Sequence, residues 1–261
     1  LKQIIRPYGI TIVGDATPRG PLSNQVSLGE LYPRKKREEI IAKNHQMDRK
    51  VIKVQSLVAG GGIGGSALFR YLAEAGQKPV LINYGRGASW RNIAGGRPNF
   101  SLPELSDIAV KNLQIFRDLQ QIHNIDFHPI NYVTFAHDET MYKALEASMA
   151  WSNAYMIEPK EFKDHISPFI NPKLQKYRAA LVTRDCWQAS PGKVVDLVRT
   201  LGVNHGGTVL EDCKLIDVRK EGEIYQVLVQ NHENEMLEYH TGIFVNALGP
   251  ECAKLAQSLG Q

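Results

Sequence analysis

The first regular pattern of apolar and polar positions along the chain begins at Val51. Ile52-Lys53-Val54-Gln55-Ser56-Leu57-Val58 is rich in β-formers and ends in glycines, which predicts a strand. Ser66 to Ala75 carries Leu68, Tyr71 and Leu72 on one side of a helix, and Gly76 stands where a helix would close. Pro79-Val80-Leu81-Ile82 is a second apolar strand. Strand, helix and strand within about thirty residues predict a β-α-β unit, hence a parallel sheet with a crossover helix.

Downstream, Gly85 to Gly96 is a glycine-rich loop. Leu105, Ile108, Ala109, Leu113, Phe116 and Leu119 then recur at helical spacing. Residues 131–136 read as a strand and Glu139 to Ser152 as a helix, and Pro159, Pro168 and Pro172 punctuate the next stretch. Pro191 suits the first turn of a helix through Leu201, with Ser190 as its N-cap. Strands follow at 208–210, 214–219 and 224–230, the last two forming a hairpin around Glu221-Gly222. A final strand, Ile243 to Asn246, runs into Ala247-Leu248-Gly249.

Gly60, Gly62 and Gly65 form G-x-G-x-x-G between the first strand and its helix. In that context the pattern is a dinucleotide fingerprint. The first glycine permits the tight turn, and the second lets backbone approach a pyrophosphate. The third lets helix and strand pack closely, while the helix N-terminus meets negative charge. The end of the second strand commonly carries an acidic residue for the ribose hydroxyls. Asn83 stands there instead, able to accept one hydrogen bond and donate others, but without charge. With Arg86 nearby, a phosphorylated ribose is a minor alternative.

Composition adds exclusions. Among the 261 residues 43% are hydrophobic, and no apolar run approaches the ~20 residues of a membrane span. Cys186, Cys213 and Cys252 are widely spaced, against a zinc site or a disulfide framework, which fits a cytoplasmic location. The net charge of +4 comes from residues 1–50, centred on Arg34-Lys35-Lys36-Arg37. Glu38 and Glu39 follow at once, so this reads as a solvated helix start over 34–43 and not as a nucleic-acid site. His123, His128 and His137 have no carboxylate cluster and predict no metal site. Cys186 beside Trp187 reads as a buried packing pair, and Cys252 also as packing. Arg91 is a candidate for holding a carboxylate or a flavin oxygen.

The order of motifs resembles the FAD-dependent D-amino-acid oxidase superfamily, in its glycine/sarcosine oxidase and D-amino-acid dehydrogenase branch. Val58 to Gly65 resembles its fingerprint, Arg86 to Gly96 its second loop, and Asp185 to Pro191 the opening of its mid-chain helix. Gly207 to Val218 resembles the strand pair that meets adenine, and Val245-Asn246-Ala247-Leu248-Gly249 resembles its V-N-A-A-G signature with Leu248 for Ala. The resemblance implies an α/β fold: a Rossmann-type FAD-binding parallel sheet with a second, mostly antiparallel substrate domain. Residues 51–125 and 186–261 would bind FAD, 126–185 would be part of the substrate domain, and 1–50 an extension.

The resemblance further implies that Gly60, Gly62 and Gly65 meet the pyrophosphate and Asn83 the ribose, with Ile63, Gly64 and Tyr84 as further cofactor-binding candidates. Ala88 and Ser89 would serve phosphate and ribityl oxygens, and Arg86 is a further cofactor-binding candidate. Arg91, Asn92, Ala94 and Gly95 would pass near the isoalloxazine. Leu215 would offer backbone to adenine, and Ala247 and Gly249 would lie near the diphosphate. The implied activity is oxidation of the C–N bond of an amino acid or secondary amine, with no catalytic acid or base assigned. A 2-hydroxy-acid or glycerophosphate-type dehydrogenase remains open, as does a subunit of a larger complex docking through residues 1–50, or a homo-oligomer. Family members usually continue well beyond the V-N-A-x-G motif, so the C-terminal part of the fold reads as missing.

Overall fold

The computed structural model describes residues 51–259 apart from Ser101. The basic run at 34–37 and the helix expected over 34–43 lie outside the described residues. Among these, no helix is long and apolar enough to cross a membrane.

The predicted β-α-β unit is present. Strand β1 (Val51–Ala59) leads into helix α1 (Ile63–Glu74) and then strand β2 (Pro79–Ile82). β1 and β2 pair in parallel, Ser56 to Ala59 against Pro79 to Ile82. Gly76 adopts a φ of 78°, which costs glycine nothing. Its N–H donates to the Ala73 carbonyl, and that of Gln77 to Leu72, the pattern that closes a helix with a left-handed residue.

Two sheets organise the rest. The first has six strands, completed by β7 (Thr208–Leu210), β8 (Lys214–Glu221), β9 (Ile224–Gln230) and β10 (Met236–Asn246). Its order is β7-β2-β1-β10-β9-β8. The first four strands are parallel, while β10, β9 and β8 form an antiparallel meander. Both faces of its centre are covered. Leu57, Ala59, Val80 and Ile82 pack with Val227, Val229 and Leu255 on one side, and Val58 and Leu81 meet Phe69 of α1 on the other. That double burial explains why β2 is a continuous apolar run and not an alternating one.

The second sheet is antiparallel, built from β3 (Gly95–Gly96), β4 (His128–Ala136), β5 (Ala154–Ile157) and β6 (Ala179–Gln188). β6 is central, with β4 along one edge and β3 and β5 on the other. Helix α2 (Pro103–His123) and helix α5 (Pro191–Asn204) share a cluster of Leu119, Ile125, Val194 and Val198. Between them in sequence lie α3 (Glu139–Ser148) and the short α4 (Phe162–His165), and α6 (Cys252–Ser258) ends the described chain.

Several expectations are corrected. The helix expected through Ser152 stops at Ser148 and tightens into a single turn over Met149–Trp151, where the Trp151 indole donates to the Phe100 carbonyl at 2.8 Å. β5 and β6 were not expected. β4 starts three residues earlier than predicted, and β10 is far longer, its first half paired with β9. Ser190 holds the N-cap backbone position of α5, but its hydroxyl makes no capping bond.

Phe69 is fully buried, and its ring fills the space that a side chain at Gly202 or Gly207 would need. Phe69→Ala should therefore cost about 3–5 kcal/mol, read from urea denaturation. Leu68→Ala, at a half-exposed neighbour, should cost far less in the same measurement.

Candidate functional site

Three strand ends converge on one cleft. Gly60 follows β1, Asn83 follows β2, and Ala247 to Gly249 follow β10. The chain leaves β1 for β2 on one side and returns to β10 on the other, so the cleft opens at a topological switch point, where ligands bind in open parallel sheets. Its cavity volume is about 210 Å³.

Each fingerprint glycine answers a different constraint. Gly60 has a φ of 103°, and a Cβ there would strike the Ala247 carbonyl. A Cβ at Gly65 would collide with the Gly60 carbonyl oxygen, so that glycine lets α1 pack on the strand. Gly62 faces the cleft, where a Cβ would stand 3.0 Å from the Ser89 hydroxyl. Gly64 is exposed with open space around it. The N-cap of α1 is Gly62, with no side-chain cap and no acidic residue in the first turn. Its N–H groups and dipole therefore face the cleft ready for an anion.

The second loop is held against the first. Ser89 Oγ accepts the Ile63 N–H at 3.0 Å, leaving its own hydroxyl hydrogen to donate. Asn92 folds back: its amide donates to the Ala88 and Ser89 carbonyls and its oxygen accepts the Ala94 N–H. Gly95 and Gly96 pair with Gln188 and Trp187 of β6. Side chains at those glycines would collide with the Tyr132 hydroxyl and the Trp187 ring.

Beneath both loops lies Arg199 of α5, 7% exposed. Its guanidinium donates to the Gly61 carbonyl, to Ser66 Oγ and to Glu211, and its Cζ stands 4.8 Å from the Trp90 ring centre. Burial pulls its pKa down and the Glu211 carboxylate opposes that. Asn83 Oδ1 accepts the Gly61 N–H at 3.2 Å, while Nδ2 donates to the Gly85 carbonyl at 3.2 Å and to Glu211 at 2.6 Å. The donors expected to be available for ribose are thus already used.

Of the predicted residues, Gly60, Gly62, Asn83, Tyr84, Ala88, Ser89, Leu215, Ala247 and Gly249 line the cleft. Ile63, Gly64 and Gly65 flank it in α1. Arg86, Arg91, Asn92, Ala94 and Gly95 lie outside its lining, with Arg86 and Arg91 exposed. Sequence reasoning missed Trp90, Cys213, Lys214 and Glu251 in the lining, Arg199 below it, and Glu211, which is outside the lining but bonded to the lining residue Asn83. Arg199 left one signal, a cation on the face of α5 that also carries Val195 and Val198. Burial keeps the Cys213 thiol pKa raised, making it a neutral wall. Cys186 is buried beside Trp187, as expected, and His123, His128 and His137 are exposed.

The profile of the FAD dependent oxidoreductase family matches residues 56–261. The chain belongs to that family. Among solved structures it is similar to L-proline dehydrogenase from P. horikoshii, with a TM-score of 0.69 and 19% identity, covering 81% of this chain and 57% of that one. Glycine oxidase from Geobacillus kaustophilus gives 0.66 and 15%, covering 80% and 58%. L-alpha-glycerophosphate oxidase from Mycoplasma pneumoniae, with FAD bound, gives 0.60 and 15%, covering 80% and 57%. The chain thus spans a little over half the length of these proteins. No curated protein matches it in sequence.

FAD is the cofactor of this family, and the cleft fits its diphosphate: a helix N-terminus with no acidic residue in its first turn, a Cβ-free approach at Gly62 and a hydroxyl at Ser89 face one space. Gly65→Ala should lower both the thermal midpoint and flavin retention, whereas Gly64→Ala should leave both near wild type. Thermal unfolding and the flavin-to-protein absorbance ratio check both.

Proposed function

We propose that this cleft holds FAD and that the complete protein oxidises the C–N bond of an amino acid or secondary amine. The observation that supports this most is the convergence of Gly62, Ser89 and the α1 N-terminus on one space at the strand ends. Gly60, Gly62 and Gly65 admit the pyrophosphate, Ala88 and Ser89 serve it from the second loop, and Gly249 closes the third side. Leu215 and Cys213, at the start of β8, wall the adenine end.

When bound, FAD would accept a hydride at its N5 from the carbon bearing the amine. With a proton lost from nitrogen to solvent the substrate leaves as an imine, which water hydrolyses to a carbonyl and ammonia or an amine. The residues of this chain bind and orient the cofactor. The pairing of Gly95 and Gly96 with β6 aligns the second loop with the antiparallel sheet, which we place on the substrate side. Two of the similar structures are named for amino-acid substrates, proline and glycine, and one for a glycerophosphate. The glycerophosphate neighbour supports a hydroxy-acid or polyol-phosphate oxidation as the second reading.

Purified full-length protein should show flavin absorbance, turnover of glycine, sarcosine or a D-amino acid should yield an oxo acid with stoichiometric ammonia or amine, and turnover of proline should yield a cyclic imine whose nitrogen stays in the ring-opened product. A carbonyl product without amine would favour the second reading. Gly62→Val should abolish flavin binding while leaving the circular dichroism spectrum and urea midpoint close to wild type. Retained flavin in that variant would remove Gly62 from the phosphate site.

A further inference from the structure

Asn83 stands where a nucleotide-binding sheet of this kind commonly presents a carboxylate to the ribose, yet a carboxylate is present beside it. We propose that Glu211, at the end of β7, is the ribose-binding acid of this protein, transferred from the end of β2 to the neighbouring strand. This rests on the reading that the cleft holds FAD.

The placement follows from the sheet. β7 pairs in parallel with β2, so the two strands finish side by side. The pairing continues past their ends: the Asn83 N–H donates to the Leu210 carbonyl, and the Cys213 N–H donates to the Asn83 carbonyl, both at 2.9 Å. The turn between β7 and β8 is thereby laced to the residue after β2, and Glu211 is carried in that turn, followed by Asp212 at a φ of 52°.

The carboxylate is then held from two sides. Asn83 Nδ2 donates to Glu211 Oε2 at 2.6 Å, and Arg199 Nη1 donates to Oε1. Each carboxylate oxygen retains accepting capacity after one such bond. The Glu211 side chain is 52% exposed, whereas that of Arg199 is 9% exposed. Bonded to the lining residue Asn83 and two residues before the lining residue Cys213, this half-exposed carboxylate borders the cleft with accepting capacity left for hydroxyl donors.

The same geometry explains the asparagine. An aspartate at 83 would set two carboxylates within hydrogen-bond distance and could not donate to Glu211. It would also have no N–H for the Gly85 carbonyl. Asn83 serves as a connector: its oxygen takes the Gly61 N–H of the phosphate loop, and its two N–H groups reach Gly85 and Glu211. A carboxylate at this point also repels a phosphorylated ribose, which removes the alternative that Arg86 suggested.

The test uses the full chain, with ADP and 2′-deoxy-ADP as competitors of FAD followed by flavin fluorescence. Wild type should prefer ADP by about tenfold or more, the scale of one hydrogen bond to a charged group. Glu211→Gln should lose most of that preference; it also removes the carboxylate partner of the buried Arg199 guanidinium, so its ligand-free thermal midpoint should fall as well, and the ADP to 2′-deoxy-ADP ratio is the deciding readout. Asn83→Asp with Glu211→Gln, which exchanges the acid and the amide, should restore part of it. A merely structural carboxylate would shift the midpoint without changing the ADP to 2′-deoxy-ADP ratio. If Glu211→Gln keeps the wild-type ratio, the assignment is overturned while the FAD reading stands. If wild type binds neither FAD nor ADP, the FAD reading itself fails, and the assignment with it.

Discussion

A buried guanidinium holds the cofactor end of this protein together. Arg199 reaches from α5 under the fingerprint loop, where it meets a carbonyl, a hydroxyl, a carboxylate and an indole face at once. A cation in that position is costly unless its donors are satisfied, and an arginine has the planar fork that can satisfy several partners together. Neutralisation by Glu211 is partial, since the carboxylate is half in water. The remaining positive potential lies under the loop that a diphosphate would occupy, so a buried charge sits where the ligand's own charge would offset it.

What was readable in the sequence follows from how local the constraint is. Gly60 and Gly65 are required by contacts within one turn and its neighbouring strand end, so the constraint appears as one six-residue G-x-G-x-x-G pattern. β2 showed itself as an apolar run because both faces of its sheet are covered. β6 was equally buried but went unread, since Ala179-Ala180-Leu181-Val182 is too short a run to tell strand from helix, and its partners flank it at 128–136 and 154–157.

The site divides in the same way. Gly62, Ser89 and Gly249 were legible because each belongs to a compact motif. Arg199 and Glu211 were not, because the groups that give them meaning are distant in sequence: Gly61 lies 138 residues from Arg199, and Asn83 lies 128 from Glu211. Gly95 and Gly96 were readable as glycines with a purpose. The constraint the structure shows on them, however, is the Tyr132 hydroxyl and the Trp187 ring. No local rule announces a glycine needed to clear an aromatic side chain from another strand.

Ser89, Asn83 and Arg199 each bond the fingerprint loop to a segment outside it, and Asn92 ties the second loop to itself. These bonds need no ligand, so much of the ordering of both loops is met by folding. A nucleotide entering such a cleft gives up its own freedom but has few protein torsions left to freeze, and more of its contact energy is retained as affinity. Cofactor capture here is closer to seating a key than to closing a hand. The slow step in exchanging the nucleotide would then be its escape, because a cradle that is already set has little to rearrange on entry.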